Sequence, residues 1–323
     1  MGCCDIILVA PEGKMIAVVG ESLIDRVNGK ELIGGCAFNA ALAASRLGAP
    51  VTYFGKVSSD SYGMMILERM IDNGVLFDPI LCNAPEPTLC SKAVLDKDGK
   101  ATYVFDYKGT AACSLTKEEL SMAFSSEGDI DMVFLGSISL LMEPGCDAIM
   151  PAIATIEKKP DKFLDVNARP SMVRDPDSYR KMILNLASGC ELVRVSDEDL
   201  GFLFPGIDQL EAEKKLLNIC KGSLIVTRGA EGSTWYQKGQ KTFRVDAPCF
   251  KAGKVVDTIG CGDTFDGAVM AWLERNGFVR NIAGLERDDV SRILDYASKA
   301  AGLNCLFEGC NPPSRVGNAD DME

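Results

Sequence analysis

The sequence predicts an α/β chain with a doubly wound, mostly parallel sheet and a small β-sheet appendage, and three observations carry that prediction. From Asp131 onward, short apolar runs alternate with helical patterns: Asp131 to Gly136, Glu143 to Ile156, Lys162 to Val166, Ser178 to Ala187 and Glu191 to Val195. Alternation at this spacing builds βαβ units, and so a parallel sheet. The 323 residues, 47% hydrophobic and 25% charged, are enough to bury a large core. Ser91 to Leu95 and Ala101 to Tyr107 alternate as strands around Asp96-Lys97-Asp98-Gly99, a hairpin signal that a parallel sheet does not require.

Taken in order, Met15 to Val19 reads as the first buried strand, delivering Glu21 through Asp25 at its C-terminal end, where ligands collect in such sheets. Asp25 there is either a ligand group or a turn former. Gly34-Gly35 precedes a small-residue helix from Ala37 to Leu47 whose first turn carries Asn39, which offers both a donor and an acceptor. Val51 to Val57 is a second strand, and Ser58 to Gly63 leads into a helix from Met64 to Asn73. Tyr103, Phe105 and Tyr107 follow a period of two, as sheet packing or lid contacts do. Asp165 to Pro170 follows a buried strand and brings Arg169, a candidate clamp for phosphate or sugar, to the same sheet edge. Ser196 is a good N-cap for the acidic turn Asp197-Glu198-Asp199. Leu224 to Val226 runs into Thr227-Arg228-Gly229-Ala230-Glu231-Gly232, a glycine pair that suits a phosphate loop or a plain turn. A long helix spans Val290 to Leu306.

The most informative stretch is Asp257 to Ala268, DTIGCGDTFDGA. Gly260, Cys261 and Gly262 can present successive amides at the start of an amphipathic helix, a combination that attracts anions. Asp263 stands at that end, either as a cap or as the base that takes a proton from a hydroxyl attacking a phosphate.

Composition narrows the function. A net charge of −12 argues against nucleic acid or an anionic membrane as partner. No apolar run of about 18 residues and no signal-like start are found, so a cytoplasmic location is expected. The absence of histidine removes imidazole catalysis and ligation. Thirteen cysteines without a C-x-x-C pair read as reduced thiols. Met1-Gly2-Cys3-Cys4 reads as a variable leader, since Ile6 stands where acylation patterns place Ser or Thr.

D-T-x-G-x-G-D-x-F at Asp257 to Phe265 and G-G-x-x-x-N at Gly34 to Asn39, about two hundred residues apart, resemble the two signatures of the ribokinase-type (PfkB) carbohydrate kinases. The resemblance covers nearly the whole chain. It implies one ribokinase-like three-layer domain over 1–323, with a β-sheet lid from about 21–35 and 88–110 that often pairs with a second subunit, hence a homodimer through the lid. It implies ATP, Mg2+ and sugar as ligands, with K+ as a further ion. Asp25, Gly35, Asn39 and Arg169 would hold the sugar, and Gly260, Cys261 and Gly262 would form the anion hole with Asp263 as base. Thr227, Gly229, Gly232 and Ser196 would face the nucleotide. Asp257, the Ile259 carbonyl and Asp199 would serve metals, Asp199 through water. Ser196 and Asp199 depart from the family's N-x-x-E, and Cys261 replaces a usual Ala. D-V-N-A-R-P at Asp165 to Pro170 points to the fructokinase-like branch, hence to fructose; ketodeoxygluconate, ribose, a nucleoside, or a silent regulator on the same fold are the alternatives.

Overall fold

The computed structural model describes residues 15–27, 29–95 and 101–316, without the side chains of 92–95 and 101–103. The leader, the Asp96–Gly99 turn and the Tyr103 side chain lie outside the described residues. The strands are β1 (Met15–Val19), β2 (Leu23–Val27), β3 (Lys30–Gly34), β4 (Val51–Phe54), β5 (Leu76–Phe77), β6 (Cys90–Leu95) and β7 (Ala101–Phe105). They continue with β8 (Ile130–Gly136), β9 (Asp161–Asp165), β10 (Leu192–Ser196), β11 (Ser223–Thr227), β12 (Ser233–Gln237) and β13 (Phe243–Ala247). The helices are α1 (Cys36–Arg46), α2 (Ser61–Asp72), α3 (Lys117–Ser126), α4 (Cys146–Ile153), α5 (Pro176–Ala187), α6 (Asp197–Leu203), α7 (Gln209–Ile219), α8 (Cys261–Arg275) and α9 (Arg287–Asn304).

Among the described residues, one sheet runs β13-β12-β11-β10-β9-β8-β1-β4-β5, parallel from β11 to β5 and antiparallel at β12 and β13. Chain order reverses across β1, which makes the boundary between β1 and β8 a switch point where a crevice opens. Alternate residues of β1 divide the core into two: Ile16 and Val18 join the cluster under α1, α8 and α9, and Met15, Ala17 and Val19 join the one under α3 to α7. The result is three layers, helix on sheet on helix.

A second sheet, β3-β2-β6-β7, stands apart from the first. Asp25 belongs to it, in the middle of β2, within the 21–35 segment that the resemblance assigned to the lid and not at the end of β1 as the strand pattern alone suggested. The chain turns at Glu21-Ser22 into a new strand, so the polar groups after β1 split between two sheets. Other elements passed unread. Thr116 and Glu119 form a capping box that starts α3, and Asp208 caps α7. At the site's foundation, α1 and α8 pack closely: a Cβ at Gly267 would lie 2.8 Å from the Ala40 carbonyl. This contact brings the two N-termini, with Asn39 and Asp263, side by side.

Candidate active site

Two adjoining cavities lie at the ends of α1 and α8. The first, about 550 Å³, is lined by polar groups that include Glu21, Asp25, Asn39, Asn167, Arg169 and Asp263. The second, about 420 Å³, has mostly small and apolar walls, among them Gly229, Gly232, Phe250, Val255, Ala301 and Leu306. Arg194, Thr258 and Gly262 line both.

Asp263 lines the polar cavity directly after the shared Gly262 and is 8% exposed. Its cap reading fails, because α8 has Gly260 as N-cap and no side-chain cap hydrogen bond. The carboxylate instead accepts a 2.8 Å hydrogen bond from Asn39 Nδ2. Burial pushes the Asp263 carboxyl up to about 6, helped by the Asp165 charge and opposed by Asn39. A carboxylate poised near neutrality suits a general base. Beside it the loop turns through Gly260 in the left-handed region at φ 72°, where a side chain would also strike Cys310. The Gly262 and Asp263 amides belong to the first turn of α8, which has no preceding turn to bond.

Asp25 accepts a hydrogen bond from Ser91 of β6, which ties its carboxylate to the small sheet, and burial pushes its pKa up. Gly35 has φ 111°, and a Cβ there would lie 2.5 Å from the Glu21 carbonyl, so only glycine permits this entry to α1. Arg169 Nη1 donates to the Ala168 carbonyl at 3.1 Å and to the Asn167 side chain. Asn39 Oδ1 is buried with no protein partner and is available to a ligand.

A buried ionic network beneath these groups escaped sequence reading. Glu21 receives the Cys36 amide at 2.8 Å and the Ser139 hydroxyl, and burial pushes it up to about 7. Arg194 Nη1 reaches Asp165 at 3.1 Å and Asp266 at 3.5 Å, and its Nη2 donates to Thr227 Oγ1 at 3.0 Å. Burial opposes the Arg194 charge, but Asp165 and Asp266 outweigh it and hold the guanidinium protonated. A Cβ at Gly262 would come within 3.0 Å of that guanidinium, so a positive charge backs the loop. The signal was present as a charged residue inside the apolar run ELVRV. Cys36 Sγ, Asp165 and Asp263 also cluster within 4.8 Å of one another, a thiol-containing set unlike the all-oxygen shell that Mg2+ takes.

The remaining predicted residues divide between the cavities. Thr227, Gly229 and Gly232 line the apolar one, whereas Ser196 and Asp199 line the polar one beside Glu198. Ser196 and Asp199 form a capping box, and Asp199 also accepts the Ala168 amide at 2.7 Å. Asp257 accepts the amides of Ile259 at 3.0 Å and Gly309 at 2.9 Å, and the Ile259 carbonyl accepts from Asn304 at 2.9 Å.

Residues 8–316 match the model of the pfkB family carbohydrate kinases. The chain belongs to this family. It is 31% identical over 284 residues to the fructokinase of Rhizobium leguminosarum bv. trifolii, covering 84% of each chain. It is likewise 31% identical over 315 residues to fructokinase-1 of Oryza sativa subsp. japonica, covering 94% of each. A solved structure of fructokinase with bound ATP from Xylella fastidiosa shares the fold at a TM-score of 0.79 and 21% identity, over 92% of this chain and 94% of that one. The protein is thus an ATP-dependent sugar kinase with the ribokinase-like architecture. Among the described residues no helix is long and apolar enough to cross a membrane.

Proposed function

We propose that the protein phosphorylates fructose, with the sugar in the polar cavity and ATP in the apolar one. The observation that carries this reading is Asp263, a buried carboxyl in the polar cavity that accepts Asn39 Nδ2 at 2.8 Å and directly follows Gly262, which lines both cavities. Asp25, Asn39 and Arg169 orient the sugar by hydrogen bonds. Asp263 takes the proton of the attacking hydroxyl, and Asn39 fixes the carboxylate oxygen at 2.8 Å while it does so. The Gly262 and Asp263 amides at the start of α8, with Arg194 behind Gly262, stabilise charge on the transferring group, whereas the Cys261 amide is held by the Thr258 carbonyl at 3.3 Å. Thr227, Gly229 and Gly232 receive the nucleotide phosphates.

Magnesium, when bound, neutralises phosphate charge. The exposed Glu198 at the polar cavity would offer it carboxylate oxygens, and Asp199, whose oxygens accept the Ala168 and Ser196 amides, would act on it only through water. Asp257 and the Ile259 carbonyl supply oxygens for potassium behind the loop. The small sheet acts as the lid over the sugar and as a homodimer contact, and the enzyme works in the cytoplasm. An ATP-consumption assay across fructose, ketodeoxygluconate, ribose and nucleosides tests the reading. Turnover with fructose at a kcat/KM well above the others is the expected result; preference for a nucleoside overturns it.

A further inference from the structure

We infer that Cys261 and Cys305 form a thiol modification site that oxidants of the peroxide class convert to an intramolecular disulfide, switching off the nucleotide cavity. Their Sγ atoms lie 2.9 Å apart although the residues are 44 apart in sequence. Cys261 opens α8 within the anion-binding loop, and Cys305 closes α9 as its C-cap. Both line the apolar cavity, which gives a small oxidant a route to them. The neighbouring Asn304 amide, 3.4 Å from Cys261 Sγ, also holds the Ile259 carbonyl, so this corner joins the loop to α9.

One thiol sulfur attacks a peroxide oxygen, breaking the O–O bond and giving up its proton to the departing oxygen, so that a sulfenic acid and one water form. The second thiol then displaces that oxygen as a second water and forms the S–S bond. Two thiols are thereby oxidised by two electrons and one peroxide is reduced. Bonding requires the sulfurs to close to about 2.05 Å, which draws the loop and α9 together. Displacement of catalytic groups on this scale costs on the order of 100-fold in rate.

The inference rests on the proposed placement of ATP, so its test includes a readout that needs no turnover. The intact chain is treated with hydrogen peroxide, alkylated without reductant, digested and mapped by mass spectrometry. A peptide linked through Cys261 and Cys305 is expected, with its formation slowed by ADP. Activity, scored relative to each variant's own reduced sample, should fall at least tenfold and return with dithiothreitol. That ratio should stay near one in Cys305→Ser, while Cys310→Ser should still lose activity. A link from Cys261 to Cys310, or oxidation confined to other cysteines, overturns the inference. So does a Cys261–Cys305 link that leaves activity and ADP binding unchanged. If the link forms with no protection by ADP, the placement of the nucleotide fails while the dithiol site stands.

Discussion

The two cavities that meet at Arg194, Thr258 and Gly262 are built on opposite principles. The polar one is a wall of side-chain chemistry: Asp25, Asn39, Arg169 and Asp263 each present an oxygen or nitrogen held by a named partner. The apolar one is shaped by glycines and apolar carbon, with Thr227 the polar group tied to the shared Arg194. A polyol is recognised by directional hydrogen bonds, and leaving one unpaired in a buried site is costly. A nucleotide's base and phosphates are satisfied by packing and by backbone amides. Substitutions on the two sides should therefore fail differently.

The largest effect is expected where the sides meet. Asp263→Asn keeps the shape and the bonding capacity toward Asn39 but cannot accept the hydroxyl proton. We expect kcat to fall on the order of 10³-fold, from general-base loss with positioning, while both ligands still bind. Activity within tenfold of the parent would remove Asp263 from the role of base.

On the sugar side alone, Asp25→Ala removes hydrogen bonds worth about 1–3 kcal/mol at a buried polar site, or roughly 5- to 150-fold in sugar KM. The KM for ATP should stay within twofold. A rise in ATP KM with the sugar value fixed would exchange the two cavities' roles.

How much of this was legible in the sequence depends on how locally each part is encoded. The loop at Asp257 to Ala268 compresses turn, amides and base into twelve residues, and Gly35 with Asn39 occupies one turn of another helix, so both could be read directly. The strand alternation likewise exposed the three layers, because parallel strands buried on both faces are nearly continuous in apolar residues. The network of Asp165, Arg194 and Asp266 could not be read as a unit. Its members come from separate elements, and their pairing exists only after β9 and β10 align and α8 docks over them. Asp266 was hidden within the motif itself, three residues after Asp263 on a face otherwise buried and apolar. The small sheet was legible in two ways: β6 and β7 carried a turn signal of their own, whereas β2 and β3 followed only from the resemblance, because by pattern alone the polar residues around Asp25 looked like a strand end.

The carboxyls of the polar cavity also make pH a probe of the contrast. Asp263 is pushed up to about 6 and Glu21 to about 7, both above the ordinary range near 4. Between those values and about 4 the folded chain holds protons that the unfolded chain has released. Their contribution to stability is therefore full below about pH 4 and is lost as pH rises through 6 and 7. Catalysis runs the other way, since a protonated Asp263 cannot act as base: kcat/KM for the sugar should fall about tenfold per unit below pH 6. Asp263→Asn should flatten the activity limb and reduce the stability slope. A profile independent of pH from 5 to 7 in the parent would mean that the carboxyl is not poised as its surroundings imply.

The smallest expected effect separates support from ligation on the polar side. Ser196 stands where relatives' patterns suggest a group facing magnesium and phosphates, yet here its hydroxyl accepts the Asp199 amide at 3.0 Å while Asp199 accepts the Ser196 amide at 2.8 Å. A hydroxyl engaged as the N-cap of α6 stabilises the helix by about 1 kcal/mol. Ser196→Ala should therefore lower stability to denaturant by about that amount. If the cap is its main work, the dependence of rate on Mg2+ and ATP should move less than twofold. Ser196→Asn, an equally good cap, should restore stability. Should Ser196→Ala leave stability unchanged and raise the Mg2+ requirement severalfold, the hydroxyl reaches the metal's waters, and the acidic turn of α6 belongs to the nucleotide side of the site.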